Sequence, residues 1–151
     1  MLRLSKKADY ALIAMKHLSL RCDQASSARE IAGQFDIPTE LMAKVLQRLV
    51  HTGFLQSQQG TRGGYQLAKP ASRISIADVI QAIDGPLTVT ACSSQDPTCD
   101  QYSKCNVRDP LWRIKERILQ ALESCSIAEL ASEHAPTTVV AVSRGVAQPH
   151  L

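Results

Sequence analysis

Phe54-Leu55-Gln56-Ser57-Gln58-Gln59-Gly60-Thr61-Arg62-Gly63-Gly64-Tyr65-Gln66-Leu67 is the stretch on which the fold turns. Residues 54–59 and 64–67 read as two strands around a turn from Gly60 to Gly64, a hairpin with a glycine-rich tip. Glycines let a backbone come close to a narrow groove, and Arg62 at the tip supplies the cation that a phosphate or a minor groove attracts. A hairpin of this kind acquires meaning from what precedes it.

Upstream, Ser27-Ala28-Arg29-Glu30 is a capping box in which hydroxyl and carboxylate each satisfy an orphan amide, opening a short helix that ends near Phe35. After Asp36-Ile37, Pro38 suits the first position of a further helix running through Leu41, Met42, Val45, Leu46, Leu49 and Val50 until Gly53 stops it. Its other face carries Thr39, Ala43, Lys44, Gln47 and Arg48 outward. Two short helices joined by a tight turn, then a hairpin, describe a winged helix-turn-helix whose second helix can enter a major groove. Ahead of them, Ser5 caps a first helix from Lys6 to about Arg21 with Tyr10, Ile13, Ala14, His17 and Leu18 as its apolar stripe. His17 reads as a packed histidine rather than a ligand.

Downstream, the box Ser75-Ile76-Ala77-Asp78 opens a helix with Ile76, Val79, Ile80 and Ile83 as its seam, closing at Asp84-Gly85-Pro86 and packing back on the winged domain. From Thr88 to Asp109 the chain is polar and irregular. Asp109 is expected to cap, and Pro110 to begin, a helix to about Ser124. Its Leu111, Ile114, Ile118, Leu122 and Cys125 recur at coiled-coil-like spacing, so burial against the same helix of a second copy is expected, giving a homodimer that reads a palindrome. A short helix from Ser126 to Ser132 follows. The expected organisation is a DNA-binding domain over residues 1–85, a cysteine loop over 86–109, a dimerisation helix with the short helix over 110–133, and a flexible tail over 134–151. The fold class is mainly α.

The 151 residues, 44% hydrophobic and 21% charged, suffice for one compact domain with a dimerisation element and exclude most large enzyme folds. The net charge of +3 is unevenly placed. Residues 1–73 hold 11 Lys and Arg against 5 Asp and Glu, whereas residues 74–151 hold 6 against 9. A basic front half points to a polyanion, here double-stranded DNA. No apolar run approaches the roughly 18 residues of a membrane span, and Met1 to Lys7 lacks a secretory apolar core, so a cytoplasmic protein without membrane contact is expected.

Five cysteines in such a compartment are expected to be reduced. Cys22 and Cys125 stand alone and read as packed thiols. Cys92, Cys99 and Cys105 are spaced C-x6-C-x5-C, unlike the paired C-x2-C knuckles of tetrahedral zinc. Spread thiolates suit an iron-sulfur cluster, with the fourth ligand left open among carboxylates such as Asp96, Asp100 and Asp109. No His or acid is spaced to activate either Cys99 or Cys105 as a nucleophile, and there is no phosphate-binding loop, so no enzyme is expected.

These residues resemble the Rrf-type (BadM-like) winged-helix regulators, a family that includes iron-sulfur cluster regulators and nitric-oxide-sensitive repressors. The resemblance spans nearly the whole chain and rests on Leu4-Ser5-Lys6 with Asp9-Tyr10-Ala11, Gly60 to Tyr65 with Leu67, Ile76 to Ile83 with Asp84-Gly85, and three cysteines before Leu111-Trp112. Met1 to Lys6 and Cys105-Asn106-Val107-Arg108 are most similar to regulators of the SUF iron-sulfur assembly system. The resemblance implies a homodimeric DNA-binding regulator, a repressor by expectation, whose operator affinity depends on a 2Fe-2S or 4Fe-4S cluster held by Cys92, Cys99 and Cys105. Cluster-assembly regulators of the family place a His where this chain has Arg108, whereas nitric-oxide-sensing members use an Asp that matches Asp9, contributed by the partner subunit. A nitric-oxide-responsive or clusterless thiol-redox repressor is the alternative on the same fold. On DNA, Lys6, Lys7, Lys44, Arg48 and Arg62 are expected at phosphates or the minor groove, with Tyr65 beside them in the wing. Thr39, Lys44 and Gln47 are placed to reach base edges.

Overall fold

A computed structural model describes residues 3–21, 23–89 and 99–133. The order is α1 (Lys6–Leu20), α2 (Ala28–Gln34), α3 (Thr39–His51), β1 (Leu55–Gln58), β2 (Gly64–Leu67), a 3-10 turn at Ala71–Arg73, α4 (Ile76–Asp84), α5 (Arg108–Ser124) and α6 (Ile127–Ser132). The fold is thus mainly α, a helix-turn-helix followed by a two-stranded antiparallel wing in which Leu55 faces Leu67 and Gln58 faces Gly64. Among the described residues no helix is long and apolar enough to cross a membrane.

The caps do much to set this order. Ser5 Oγ accepts from the Ala8 amide, and the boxes Ser27/Glu30 and Ser75/Asp78 are both closed in the two directions expected of them. A third box, Ser126/Glu129, starts α6. Between α2 and α3 the chain turns through Asp36 in a left-handed conformation, φ 52°, which a short polar side chain tolerates better than most. Gly53, φ 86°, ends α3 as its position suggested.

Around one core, Met15 and Leu18 of α1 meet Ile31 of α2, Met42, Leu46 and Leu49 of α3, and Val79 of α4. Ile127 of α6 is fully buried in the same cluster. Residues 126–133, which the sequence groups with the long helix, therefore lie against the winged domain. The Ile127 amide donates to the Ile74 carbonyl, the Ile76 amide donates to the Cys125 carbonyl, and Lys16 Nζ donates to the Glu133 carbonyl.

Four local expectations need correction. The buried face of α1 is Ala8, Ala11, Ala14, Met15, His17 and Leu18, with Tyr10 and Ile13 only half-buried, because small alanines let α1 sit close to its neighbours. Pro38 is the cap of α3 rather than its first residue. The first strand spans Leu55–Gln58, one residue shorter at each end. Helix α5 begins at Arg108 with Val107, whose side chain has no acceptor, at the cap position, and the Asp109 carboxylate lies within the first turn, where it accepts from Arg108 Nε at 3.0 Å. Cys92, Cys22 and the tail over 134–151 lie outside the described residues.

His17 is buried, with Nε2 3.3 Å from Ser26 Oγ and its ring edge-on to Phe35 at 5.8 Å. Burial holds its pKa below the usual histidine value, Arg21 adding to the effect and Glu30 opposing it. The unfolded chain therefore binds this proton more readily than the native one, so stability falls as pH drops below about 6.5. Urea midpoints measured between about pH 7 and pH 5 should decline, and His17→Gln should flatten that decline. An unchanged slope in the variant would assign the effect elsewhere.

Candidate nucleic-acid interface and cysteine segment

The outward face of α3 carries Thr39, Lys44 and Gln47, all exposed, because the apolar positions Met42, Val45, Leu46 and Leu49 turn the opposite face into the core. At its edge, Lys7 of α1 joins Lys44 and Arg48 in a cleft of about 240 Å³, floored by Val45 and by Ile83 of α4. Three cations from two helices thus converge on one surface. Arg48 is also structural, its Nε donating to the Ala82 carbonyl of α4 at 2.9 Å. Lys6 is exposed in the first turn of α1.

Arg62 is exposed at the wing tip but lines a different, larger cleft of about 630 Å³, together with Arg21, Gln24 and Thr61. It is therefore not brought to the Lys7 cleft. Tyr65 is half-buried and packs on the core. Its amide donates to the Ser26 carbonyl at 2.8 Å and its carbonyl accepts from the Ser26 amide at 3.0 Å, so it pins the start of β2 to the entry of α2. Gly64 makes this possible, since a Cβ there would stand 2.5 Å from the Ser26 carbonyl carbon and oxygen.

The N-terminus of α1 is tied to the end of α4. Asp84 accepts from the Ser5 amide at 3.1 Å and from the Ser5 hydroxyl, which itself caps α1. Asp84 is the last residue of α4, and Gly85, φ 81°, follows as the chain departs toward the cysteines. This pairing spans 79 positions, and no periodicity in the sequence predicts it. The only local signal was a carboxylate directly before the helix-ending glycine.

Cys99 is exposed and Cys105 half-exposed, both as free thiols. Consecutive turns carry them toward α5, with the Tyr102 amide donating to the Cys99 carbonyl and the Lys104 amide to the Gln101 carbonyl. Arg108 organises this segment. Its Nη1 donates to the Tyr102 carbonyl at 3.1 Å, its guanidinium stacks 4.5 Å from the Tyr102 ring, and its Nε is held by Asp109. That hydrogen bond and the Asp109 charge raise its pKa further, with a smaller contribution from Cys105. A guanidinium so held is a cation beside the thiol and not an iron ligand. Asp9 is exposed in the first turn of α1, its amide bonded to the Ser5 carbonyl. Among the described residues, no three His, Cys, Asp or Glu side chains converge as a metal site. Cys125 is half-buried at the end of α5, where burial pushes its thiol pKa up, so it is set apart from the segment.

Helix α5 has no buried residue, and Ile114 and Trp112 are exposed by 46% and 38%. Its Ile118 and Leu122 border an apolar cleft of about 290 Å³ with Leu4, Ile80 and Leu87.

Solved structures share this arrangement. Staphylococcus aureus CymR is 25% identical over 87% of this chain and 100% of its own, with a TM-score of 0.70. CymR of B. subtilis, described as its global cysteine regulator, is 24% identical over 87% and 98% with a TM-score of 0.71. T. potens IscR is 24% identical over 85% of each chain with a TM-score of 0.67. Residues 4–133 match the model of the Rrf2 family, described as iron-dependent transcriptional regulators, and this chain belongs to that family of DNA-binding regulators rather than to any enzyme class.

Proposed function

We propose that this chain is a homodimeric transcription factor, a repressor by sign, that binds a palindromic operator and controls iron-sulfur assembly genes of the SUF type in response to an iron-sulfur cluster. The observation that carries the sensing role is the pair of free, solvent-reaching thiols, Cys99 and Cys105, in the segment that joins the winged domain to α5. Thiolates are the donors that iron-sulfur clusters take, so these two residues fit such a group, and Cys92 is the third thiolate in this reading. Asp9, exposed on α1, is the fourth ligand, given to the cluster of the partner subunit. A cluster bound there supplies sensitivity to iron supply and to oxidants. The chain's own part is to hold the two thiols on turns braced by Arg108 and to connect that segment, through Gly85 and Asp84, to the reading domain.

On DNA, Lys7, Lys44 and Arg48 grip a backbone phosphate in their shared cleft, Lys6 adds charge, and Thr39, Lys44 and Gln47 read base edges in the major groove. Arg62 enters the neighbouring minor groove, and Tyr65 supports the wing that carries it.

An ultraviolet-visible spectrum of anaerobically purified protein tests the sensor. Wild-type protein should show visible cluster bands, Cys99→Ala should lose them, and Asp9→Ala should retain them in altered form. Colourless protein after reconstitution with iron and sulfide would favour the second reading, a thiol-redox repressor acting through Cys99 and Cys105. The exposure of Cys99, and the likeness to Staphylococcus aureus CymR, which has also been solved in an oxidized form, support that reading as the alternative.

A further inference from the structure

Arg48 of α3 and Asp84 of α4 both make hydrogen bonds at the C-terminal turn of α4. Arg48 Nε fastens α3 to the Ala82 carbonyl, and Asp84 fastens the start of α1 through the Ser5 amide and hydroxyl. Between them, Ile83 floors the cleft that Lys7, Lys44 and Arg48 line. Lys7 lies two residues beyond Ser5, in the first turn of α1, so the position of Ser5 determines the position of the lysine. A carboxylate close to a polyanion-binding surface is ordinarily unfavourable. Here it occupies both donors of the residue that begins the helix carrying one of the three cations.

We propose that Asp84 is the positioning residue of the phosphate cleft: by holding Ser5, its carboxylate sets where α1 begins and so where Lys7 stands relative to Lys44 and Arg48. This rests on the reading of that cleft as a backbone-phosphate contact. It assigns to Asp84 a contribution to DNA affinity that outweighs its own repulsion of DNA.

The two effects have opposite signs, which makes them separable. Fluorescence anisotropy with a mixed-sequence duplex of about 30 base pairs, titrated at several salt concentrations between about 50 and 200 mM, reads them directly. Lys7→Ala and Lys44→Ala should each lower the magnitude of the salt slope by about 0.9. Asp84→Ala should weaken binding and lower the slope by a similar amount, despite removing a negative charge. Combined with Lys7→Ala it should add little, because both act on one contact, whereas combined with Lys44→Ala it should add. Asp84→Asn, which keeps an acceptor oxygen for Ser5, should fall between wild type and Asp84→Ala. Ser5→Ala removes the hydroxyl half of the tie without altering charge and should show the same signature, which decides the matter if Asp84→Ala does not fold by circular dichroism. Tighter binding by Asp84→Ala and Asp84→Asn alike, or full additivity of Asp84→Ala with Lys7→Ala, would overturn the proposal while leaving the cleft reading intact. Unchanged binding by Lys7→Ala and Lys44→Ala together would overturn both.

Discussion

Ile114→Asp should yield a folded monomer whose affinity for the operator is lower by about 10²- to 10⁴-fold. None of the residues of α5 is buried in a single chain, although Leu111, Ile114, Ile118 and Leu122 recur along one side of it. Ile114, at 46% exposure, is the most open of these. Packed against a second α5, it would lose water on both sides. An aspartate in its place would be a charge without a partner in an apolar seam, which opposes association strongly. The winged domain is spared because its core takes Ile127 from α6 and nothing from α5. Dimeric proteins gain affinity because the second half-site is met at high effective concentration, and that gain is what a monomer forfeits. Sedimentation equilibrium together with operator titration checks both halves of the statement. A dimer that persists in the variant would move the interface away from α5.

The second large effect is on stability. Gly64→Ala should destabilise the chain by about 3 kcal/mol or more, lowering the melting temperature by roughly 6–12 °C. The added methyl would meet the backbone of Ser26 and Ser27, which cannot swing aside as a flexible side chain could. Gly64 also has φ 153°, a conformation that residues with a Cβ rarely adopt. Relief of the clash would separate the paired amides and carbonyls of Ser26 and Tyr65 and detach the wing from α2. Gly33 provides the comparison, since a Cβ at that helical position meets nothing within 4 Å. Gly33→Ala should therefore be neutral or stabilising by about 0.5–1 kcal/mol. If both variants melt alike by calorimetry, the close approach at Gly64 is not what holds the wing.

Local chemistry made much of this architecture readable. Ser27 with Glu30 and Ser75 with Asp78 announced two helix starts, Gly53 one helix end, and the glycines around Arg62 the wing, because caps and turns are decided by residues within a few positions of one another. What depended on distant partners was less legible. The stripe of α1 includes Ala14, His17 and Leu18 as expected, but the packed face also runs through Ala8 and Ala11 in place of Tyr10 and Ile13, because small size matters only once a neighbouring helix is present. Arg48 and Tyr65, expected from the sequence to face DNA, are each also engaged by the protein, Arg48 at Ala82 and Tyr65 at Ser26. The tie between Ser5 and Asp84 joins residues that no periodicity relates. Lys7, Lys44 and Arg48 were legible as cations, but their convergence on one cleft required the crossing of α1 and α3 against α4.

The placement of α6 bears on how the chain is made. Its Ile127 is packed with residues of α1, and the Glu133 carbonyl is held by Lys16 across 117 positions, so α1 is completed by a helix synthesised long after it. Contacts of such sequence separation form late and cannot be satisfied by a partial chain. A nascent polypeptide long enough to display the wing still lacks the closing wedge of its core. By the time that wedge arrives, Cys99, Cys105 and α5 have already been synthesised. The winged domain thus reaches its full set of core contacts only in chains that extend through α6 and therefore also carry Cys99, Cys105 and α5.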